Sequence, residues 1–498
     1  MDSPDNTLYF AAALRQVEQT HADAGLMIRA GAAAAEWAME LLAPRPAPVL
    51  VLAGPGNNGG DALEMASLLR TRDIPVEVVF RGQLEQLPVD AAQAHHHFLA
   101  EGGRLLEAIP PATAWGLIVD GLFGIGLNRP LEGHYAELVQ AANILARHLH
   151  CPLLALDCPS GLDADSGFCH GPTINASHTL TFLGGKPGLY TAEGPDHCGL
   201  IRVHDLGLGY PLDTPPNGRL VSRESFAQYL KPRRHNSHKG SHGSIGVIGG
   251  AHSMLGAPLL AGRAALKLGA GRVFLGLLDP QAPGVDFAQP ELMLRKPEGI
   301  FDAELSALAC GPGLGRSVHA AELLERALAT ELPLVLDADA LNILAFEEAL
   351  QTVTRRRPAP VLLTPHPAEA ARLLDLQAVD IQQDRIHMAL ELARRYRAWV
   401  ALKGCGTVIA DPEGRWWINT TGNPGLASAG SGDVLTGFLT ALLGQGWPPC
   451  EALLAACHLH GQAADDLVVA GIGPVGLCAG ELADAARSRY NRWLGNLR

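Results

Sequence analysis

Short apolar runs that end in glycine-rich polar turns, each followed by apolar residues at helical spacing, recur along this 498-residue chain. In the first half, Val49–Ala53, Ile74–Phe80, Gly116–Asp120 and Pro152–Asp157 read as buried strands, and Leu180–Phe182 and Leu200–Val203 as later ones. Amphipathic patterns over residues 8–43 and from Asp61 to residue 71 read as helices. Strand–helix alternation of this kind predicts a parallel, doubly wound sheet. A Pro-rich segment from Tyr210 to Gly218 interrupts it and marks a domain boundary, giving domains 1–215 and 216–498. The second half resumes the alternation with Ser244–Gly250, Gly271–Leu277, Ala307–Gly311, Leu334–Asp337, Val361–Thr364 and Trp399–Lys403, then a hairpin turning at Asp411–Gly414, then helices. No fixed-period repeat relates the halves. The expected fold class is α/β, two three-layer αβα domains.

Where the turns fall decides the candidate chemistry. In a parallel sheet the carboxyl ends of the strands share one edge, where α/β proteins bind ligands. In the first half these ends carry Gly54-Pro-Gly-Asn-Asn-Gly-Gly60 with Asp61, Asp120 with Gly121–Pro130, and Asp157 with Cys158–Asp163. The first turn contains G-x-G-x-x-G after a strand, a weak dinucleotide signature. Paired Asn57 and Asn58 and an acid behind them disfavour a pyrophosphate and suit a neutral polar group or a cation.

In the second half, Gly422–Asp433 leads into the apolar helix Val434–Leu443. Small residues let the backbone approach an anion, and Gly430–Gly432 place N–H groups at the helix start. Asp433 in that first turn would be repelled by a bound phosphate, so it reads as the acceptor of a proton from a hydroxyl that attacks the phosphate. Read without function, the same residue is a helix-capping Asp. Lys231–His242 is the most basic stretch and suggests contact with a phosphate-bearing ligand; its three histidines lack the Cys or acid that would complete a metal set. His95-His96-His97 lies on a helical run and reads as solvated surface.

Composition narrows the setting. A formal charge of -13 disfavours nucleic acid or an anionic membrane as partner. Nine Cys, scattered singly, fit reduced thiols. The polar N-terminus leads into no hydrophobic core of a leader, and no apolar run reaches the roughly 18 residues a membrane span needs. A soluble, cytoplasmic protein is expected.

The second half resembles the ribokinase-like superfamily. Within it, Gly311-Pro-Gly-Leu-Gly315, Asp337-Ala-Asp-Ala-Leu-Asn342, Thr364-Pro-His-Pro367, Leu402-Lys-Gly-Cys-Gly-Thr407 and Gly430-Ser-Gly-Asp433 are similar to the ADP-dependent NAD(P)H-hydrate dehydratases. The first half resembles the Rossmann-like NAD(P)H-hydrate epimerases through Met27-Ile-Arg-Ala-Gly31, Gly56–Asp61, Asp120–Gly124 and Asp157–Gly161. The resemblance implies repair of nicotinamide hydrates (NADHX and NADPHX): R and S forms are interconverted, and the S form is dehydrated at the expense of ADP. It implies that Asn57, Asn58, Gly59, Gly60, Asp61, Gly124, Ile125, Gly126, Leu127, Asn128, Arg129, Pro130 and Asp157 hold the hydrate in the first domain, with Asp157 catalytic. Asn58, Asp120 and Ser160 would hold K⁺. In the second domain Lys403, Gly404, Cys405, Gly406, Thr407 and Gly432 would cradle ADP, with Mg²⁺ expected. Ala257, Gly313, His366 and Asp433 would face the hydrate, Asp433 as base. A homo-oligomer is expected.

Three positions depart from the family pattern. Ala62 and Ile125 replace a usual Gly and Thr in the epimerase half, and Ile125 removes a hydroxyl near the ligand. Ala429 replaces a usual Gly in the anion loop. The alternatives are a vitamin or sugar kinase, which would use the same loop and base, and a non-catalytic nucleotide-binding module. No P-loop signature occurs.

Overall fold

The computed structural model describes residues 6–44, 46–110, 114–127 and 129–495. The chain forms two compact units, Met1–Leu220 and Val221–Arg498. Among the described residues no helix is long and apolar enough to cross a membrane. None of the nine cysteines forms a disulfide.

In the first unit a seven-stranded sheet runs in the order Leu105–Leu106, Val76–Phe80, Val49–Ala53, Leu117–Gly121, Leu153–Leu156, His178–Phe182, Leu200–His204. Every pairing in it is parallel. Alternate side chains face opposite layers, as the two-residue strand period requires. Val49, Val51, Leu117 and Val119 pack with the helices Leu26–Leu42, Asn57–Arg70 and Val89–Ala100. Leu50, Leu52, Ile118 and Leu153 pack with the helix Gly133–Leu149. The chain reverses its direction of travel between Val49–Ala53 and Leu117–Gly121, so a crevice opens beyond the carboxyl ends of those two strands.

The second unit carries nine strands in the order Trp416–Asn419, Thr407–Ala410, Trp399–Leu402, Val361–Leu363, Leu334–Leu336, Ala307–Cys310, Ser244–Gly249, Arg272–Leu277, Met293–Arg295. The two pairings of the hairpin strand Thr407–Ala410 are antiparallel and the rest parallel. Val247, Leu275, Ala309 and Val335 bury against residues of the helices Gly256–Lys267, Ser431–Gly444 and Pro449–Val469. Helices 318–328 and 385–396 contact the sheet as well, packing on its other face. Here the reversal lies between Ser244–Gly249 and Ala307–Cys310, beside the turns at Gly250 and Gly311–Gly315.

Three expectations change. The helix after the first glycine-rich turn begins at Asn57, not Asp61. Gly59 and Gly60 are therefore buried helix residues, and a Cβ on Gly59 would lie 2.0 Å from the Gly54 carbonyl oxygen. His95 is not solvated: it is buried with its ring 5.4 Å from that of Phe80, while His97 lies between Glu64 and Glu101. The basic segment Lys231–His242 precedes the strand Ser244–Gly249 and so lies at the amino ends of the strands. There Gly243 abuts Gly444, the last residue of the helix whose first turn holds Asp433, so the segment cannot touch a phosphate beside that acid.

Candidate functional site

The crevice of the first unit is a cleft of about 620 Å³ lined by Asn57, Asn58, Asp61, the Gly124–Leu127 loop and Asp157, with Glu18 and Arg15 at one wall. Gly59 and Gly60 lie beneath it. Arg129 and Pro130 are exposed where their loop runs outward, and are not part of the lining. Asn128 lies outside the described residues.

Below the cleft, Asp120 is fully buried at the end of its strand. It accepts the Ser160 N–H at 2.8 Å, the Ser160 hydroxyl at 2.7 Å and the Leu122 N–H at 3.2 Å. Burial nonetheless outweighs these donors and pushes its pKa up to about 6. Asn58 is 7% exposed, and neither its Oδ1 nor its Nδ2 has a partner. An orphaned buried amide oxygen near a buried carboxylate and a hydroxyl is an all-oxygen donor set of the kind that suits a hard cation. These residues fit a K⁺.

Asp157 ends the next strand with a left-handed φ of 62°. Its Oδ2 accepts the Ile125 N–H at 3.1 Å, and its Oδ1 faces Lys186 Nζ at 2.5 Å. The bond from residue 125 comes from the main chain, so the Ile in place of Thr leaves it intact. Arg15 donates to the Ile125 carbonyl at 2.9 Å and fixes the same loop. Ala62 lies inside the helix and packs against Gly121, where an added Cβ would meet its own at 2.4 Å. Two further acids of the cleft, Asp61 and Glu18, respond to burial and to crowding. Asp61 is raised well above the usual carboxylate range by burial, then by Asp157, Glu18 and Glu64. Glu18 is raised by burial and Asp157, against the pull of Lys186 and Arg15. In both Asp61 and Glu18 the charged form is thus penalised by burial and by the carboxylate of Asp157.

In the second unit the helix Ser431–Gly444 starts behind Gly430, whose φ of 91° admits the tight turn. Asp433 sits in its first turn. Burial and the nearby Asp337 push its pKa up to about 7, with Lys403 pulling the other way. Lys403 ends its strand and pairs with Asp337 at 2.8 Å; the second oxygen of Asp337 accepts the Thr436 hydroxyl at 2.8 Å. Burial alone would lower the Lys403 pKa, but Asp337, Glu369 and Asp433 outweigh it and raise it. A Cβ on Gly432 would lie 3.2 Å from Lys403 Nζ, so glycine keeps that ammonium open to a ligand.

Gly404 and Gly406 both take positive φ (139° and 59°), between them Cys405 is exposed, and Thr407 donates to the Gly404 carbonyl at 3.1 Å. This is the turn expected to cradle a nucleotide. Gly313 stands over helix Gly256–Lys267, its added Cβ 3.4 Å from Ala257, and Leu260 of that helix abuts Gly430. His366 caps the helix Pro367–Leu374: its Nδ1 accepts the N–H groups of Ala368 and Glu369, and Glu369 returns the bond to the His366 N–H at 2.8 Å. Burial lowers the His366 pKa, and Lys403 and Arg372 add to it. Ala257, Gly313, His366 and Asp433 thus all lie at one edge of the sheet around Lys403.

Sequence reasoning missed Lys186, Glu18, Glu369, Thr436 and Arg385. Lys186 carried the clearest signal, a lone charge in a Gly/Pro loop directly after a buried strand. Arg385 is 1% exposed; it donates to the carbonyls of Leu402 and Lys403 at 3.0 and 3.2 Å and secures the cradle from beneath.

The sequence profile of the NAD(P)H-hydrate dehydratase family matches residues 245–478, and that of the YjeF-related N-terminal family matches residues 23–188. The bifunctional NAD(P)H-hydrate repair enzyme Nnr of Escherichia coli (strain K12) is 37% identical over 96% of this chain and 92% of its own. The enzyme of the same name from Coxiella burnetii is 36% identical over 97% of this chain and 99% of its own. Among solved structures, an ADP/ATP-dependent NAD(P)H-hydrate dehydratase from Bacillus subtilis, co-crystallised with ATP and Mg²⁺, is 32% identical. It covers 55% of this chain and 98% of its own, with a TM-score of 0.48. With relatives this similar along nearly its whole length, the chain belongs to the family of bifunctional NAD(P)H-hydrate repair enzymes.

Proposed function

We propose that the chain repairs hydrated NAD(P)H, the first unit interconverting the R and S hydrates and the second returning the S form to NAD(P)H at the expense of ADP, with release of AMP and phosphate. The observation that carries the dehydratase reading is Asp433, a carboxyl with a pKa of about 7 in a helix first turn beside the Lys403–Asp337 pair. A general base works best with a pKa near the working pH.

Asp433 takes the proton of the C6 hydroxyl as that oxygen attacks the terminal phosphorus of ADP, and AMP departs. Phosphate leaves far more readily than hydroxide. The ring-nitrogen lone pair expels it, and loss of the C5 proton restores the dihydropyridine. Lys403 and the amides from Gly404 to Thr407 and at Gly432 hold the nucleotide; Mg²⁺ would neutralise charge on its phosphates. His366, Gly313 and Ala257 face the hydrate.

In the first unit, inversion at C6 requires the ring-nitrogen lone pair to close an iminium as the hydroxyl leaves as water, with a proton taken from solvent, and a second water to add on the opposite face. Asp157 accepts the proton of that water. Asn58, Asp120 and Ser160 would hold K⁺, which supplies a fixed positive charge under the cleft.

The test supplies both epimers of NADH hydrate with ADP, Mg²⁺ and K⁺ and follows dihydronicotinamide absorbance together with phosphate. Full return with matching phosphate is expected. A stable phosphorylated product without return would establish a kinase instead.

A further inference from the structure

Lys186 is the one lysine in the sequence of the first unit, it is buried at 1% exposure behind the cleft residue Asp157, and the chemistry above gives it no part. Its ammonium has three N–H donors and three close acceptors: Asp157 Oδ1 at 2.5 Å, the Thr181 hydroxyl at 2.6 Å and the Phe182 carbonyl at 2.9 Å. No donor is left for a ligand. Thr181 and Phe182 belong to the neighbouring strand His178–Phe182, so the ammonium ties the carboxylate to the sheet itself. The other oxygen of Asp157 is held by the Ile125 N–H, and Gly124 leaves room for it: a Cβ there would lie 2.6 Å from Oδ2.

We propose that Lys186 is a positioning residue for epimerisation, which fixes the plane of the Asp157 carboxylate and is the side-chain cation bonded to it. The inference rests on Asp157 being the base of that reaction. The charged and titratable groups around Asp157 are Lys186, Asp61 from helix Asn57–Arg70, Glu18 and Arg15 from helix Ala11–Thr20, and the Cys158 thiol. The acids and the thiol oppose a second negative charge. Arg15 spends its guanidinium on the Ile125 carbonyl. Lys186 alone is bonded to the carboxylate as a cation. It neither donates nor accepts the proton that moves: water adds to C6, its proton passes to Asp157 and its oxygen stays on carbon.

The experiment uses the full chain and the isolated R epimer of NADH hydrate without ADP, reading formation of the S epimer by chromatography. Lys186→Met is expected to lower kcat by roughly 100-fold, on the scale of lost acid–base catalysis, with KM within a few-fold. The acid limb of its pH–kcat profile should move to higher pH, because the carboxylate has lost its cation. Dehydration of the S epimer by the same preparation reports that the second unit is folded, and a near-UV circular dichroism spectrum matching the wild type reports the same for the first. Thr181→Val keeps the ammonium but removes one anchor, and a smaller loss confined to kcat is expected; it decides the matter should Lys186→Met fail to fold. Unchanged kcat and acid limb in Lys186→Met, or a Thr181→Val loss that falls on KM alone, would overturn the positioning role. Asp157→Asn separates the two layers: if it epimerises at the wild-type rate, the base assignment has failed, whatever Lys186 does.

Discussion

Lys403 lies 2.8 Å from one oxygen of Asp337, and the other oxygen of that carboxylate is held by Thr436 at 2.8 Å. The lysine is therefore aimed before any ligand arrives, and its position does not depend on the nucleotide. Lys403→Met is expected to raise the KM for ADP by roughly 10-fold or more, on the scale of a lost charge-assisted hydrogen bond. Steady-state kinetics over a range of ADP concentrations checks this; an unchanged KM would remove Lys403 from the phosphate site.

Asp433 must be ionised to accept the hydroxyl proton, and its pKa is about 7. Dehydration should therefore be half-maximal near pH 7 and fall as the pH drops below it. Asp433→Asn should lose roughly 100- to 10,000-fold in kcat and leave epimerisation of the R hydrate untouched. Turnover within a few-fold of wild type would end the base assignment.

On the function proposed, the buried oxygens of Asn58, Asp120 and Ser160 would hold K⁺ for epimerisation alone. Exchanging K⁺ for a bulky organic cation should slow R-to-S conversion and leave dehydration of the S epimer unchanged. Asn58→Leu should abolish the K⁺ response, as seen by titrating K⁺ against each activity separately.

Ile125 meets Asp157 through its N–H. Ile125→Thr should therefore change the epimerisation rate by less than about five-fold, within the worth of one neutral hydrogen bond. A larger gain would mean that the hydroxyl reaches the hydrate.

Gly311 has a φ of 134°, and a Cβ there would lie 1.8 Å from the Asp337 carbonyl oxygen. Gly311→Ala should destabilise the second unit by at least ~2 kcal/mol, read from urea unfolding followed by its tryptophans.

Much of this was legible in the chain. Strands such as Val49–Ala53 and Leu334–Leu336 are short apolar runs ended by Gly and Asp, so both the strand and its ligand-facing end are written locally. Asp120 and Asp157 could be singled out because each is an acid at such an end, and Asp433 because it opens an apolar helix behind a glycine-rich loop. Gly59 and Gly60 misled, since paired glycines read as a turn while here they let a helix press against the Gly54 carbonyl and the Met27 side chain. Lys186 and Asp157 are 29 residues apart, and Lys403 and Asp337 66. Such pairings depend on strand order, which no local pattern carries. His95 faces the core because one side of its helix packs on Phe80, a tertiary fact invisible in three identical neighbours.

Arg385 shows how a cation can serve an anion without meeting it. It draws the Lys403 carbonyl inward, and in a trans peptide the N–H of Gly404 must then point the opposite way. The guanidinium thus works as a keel: its charge stays submerged at 1% exposure and sets the heading of a peptide dipole above it. At the nucleotide cradle proposed for this loop, phosphate affinity would then be partly a property of the interior, and a change in the core beneath Leu402 and Lys403 would reach the nucleotide by rotating an amide, with every residue that touches the ligand left in place.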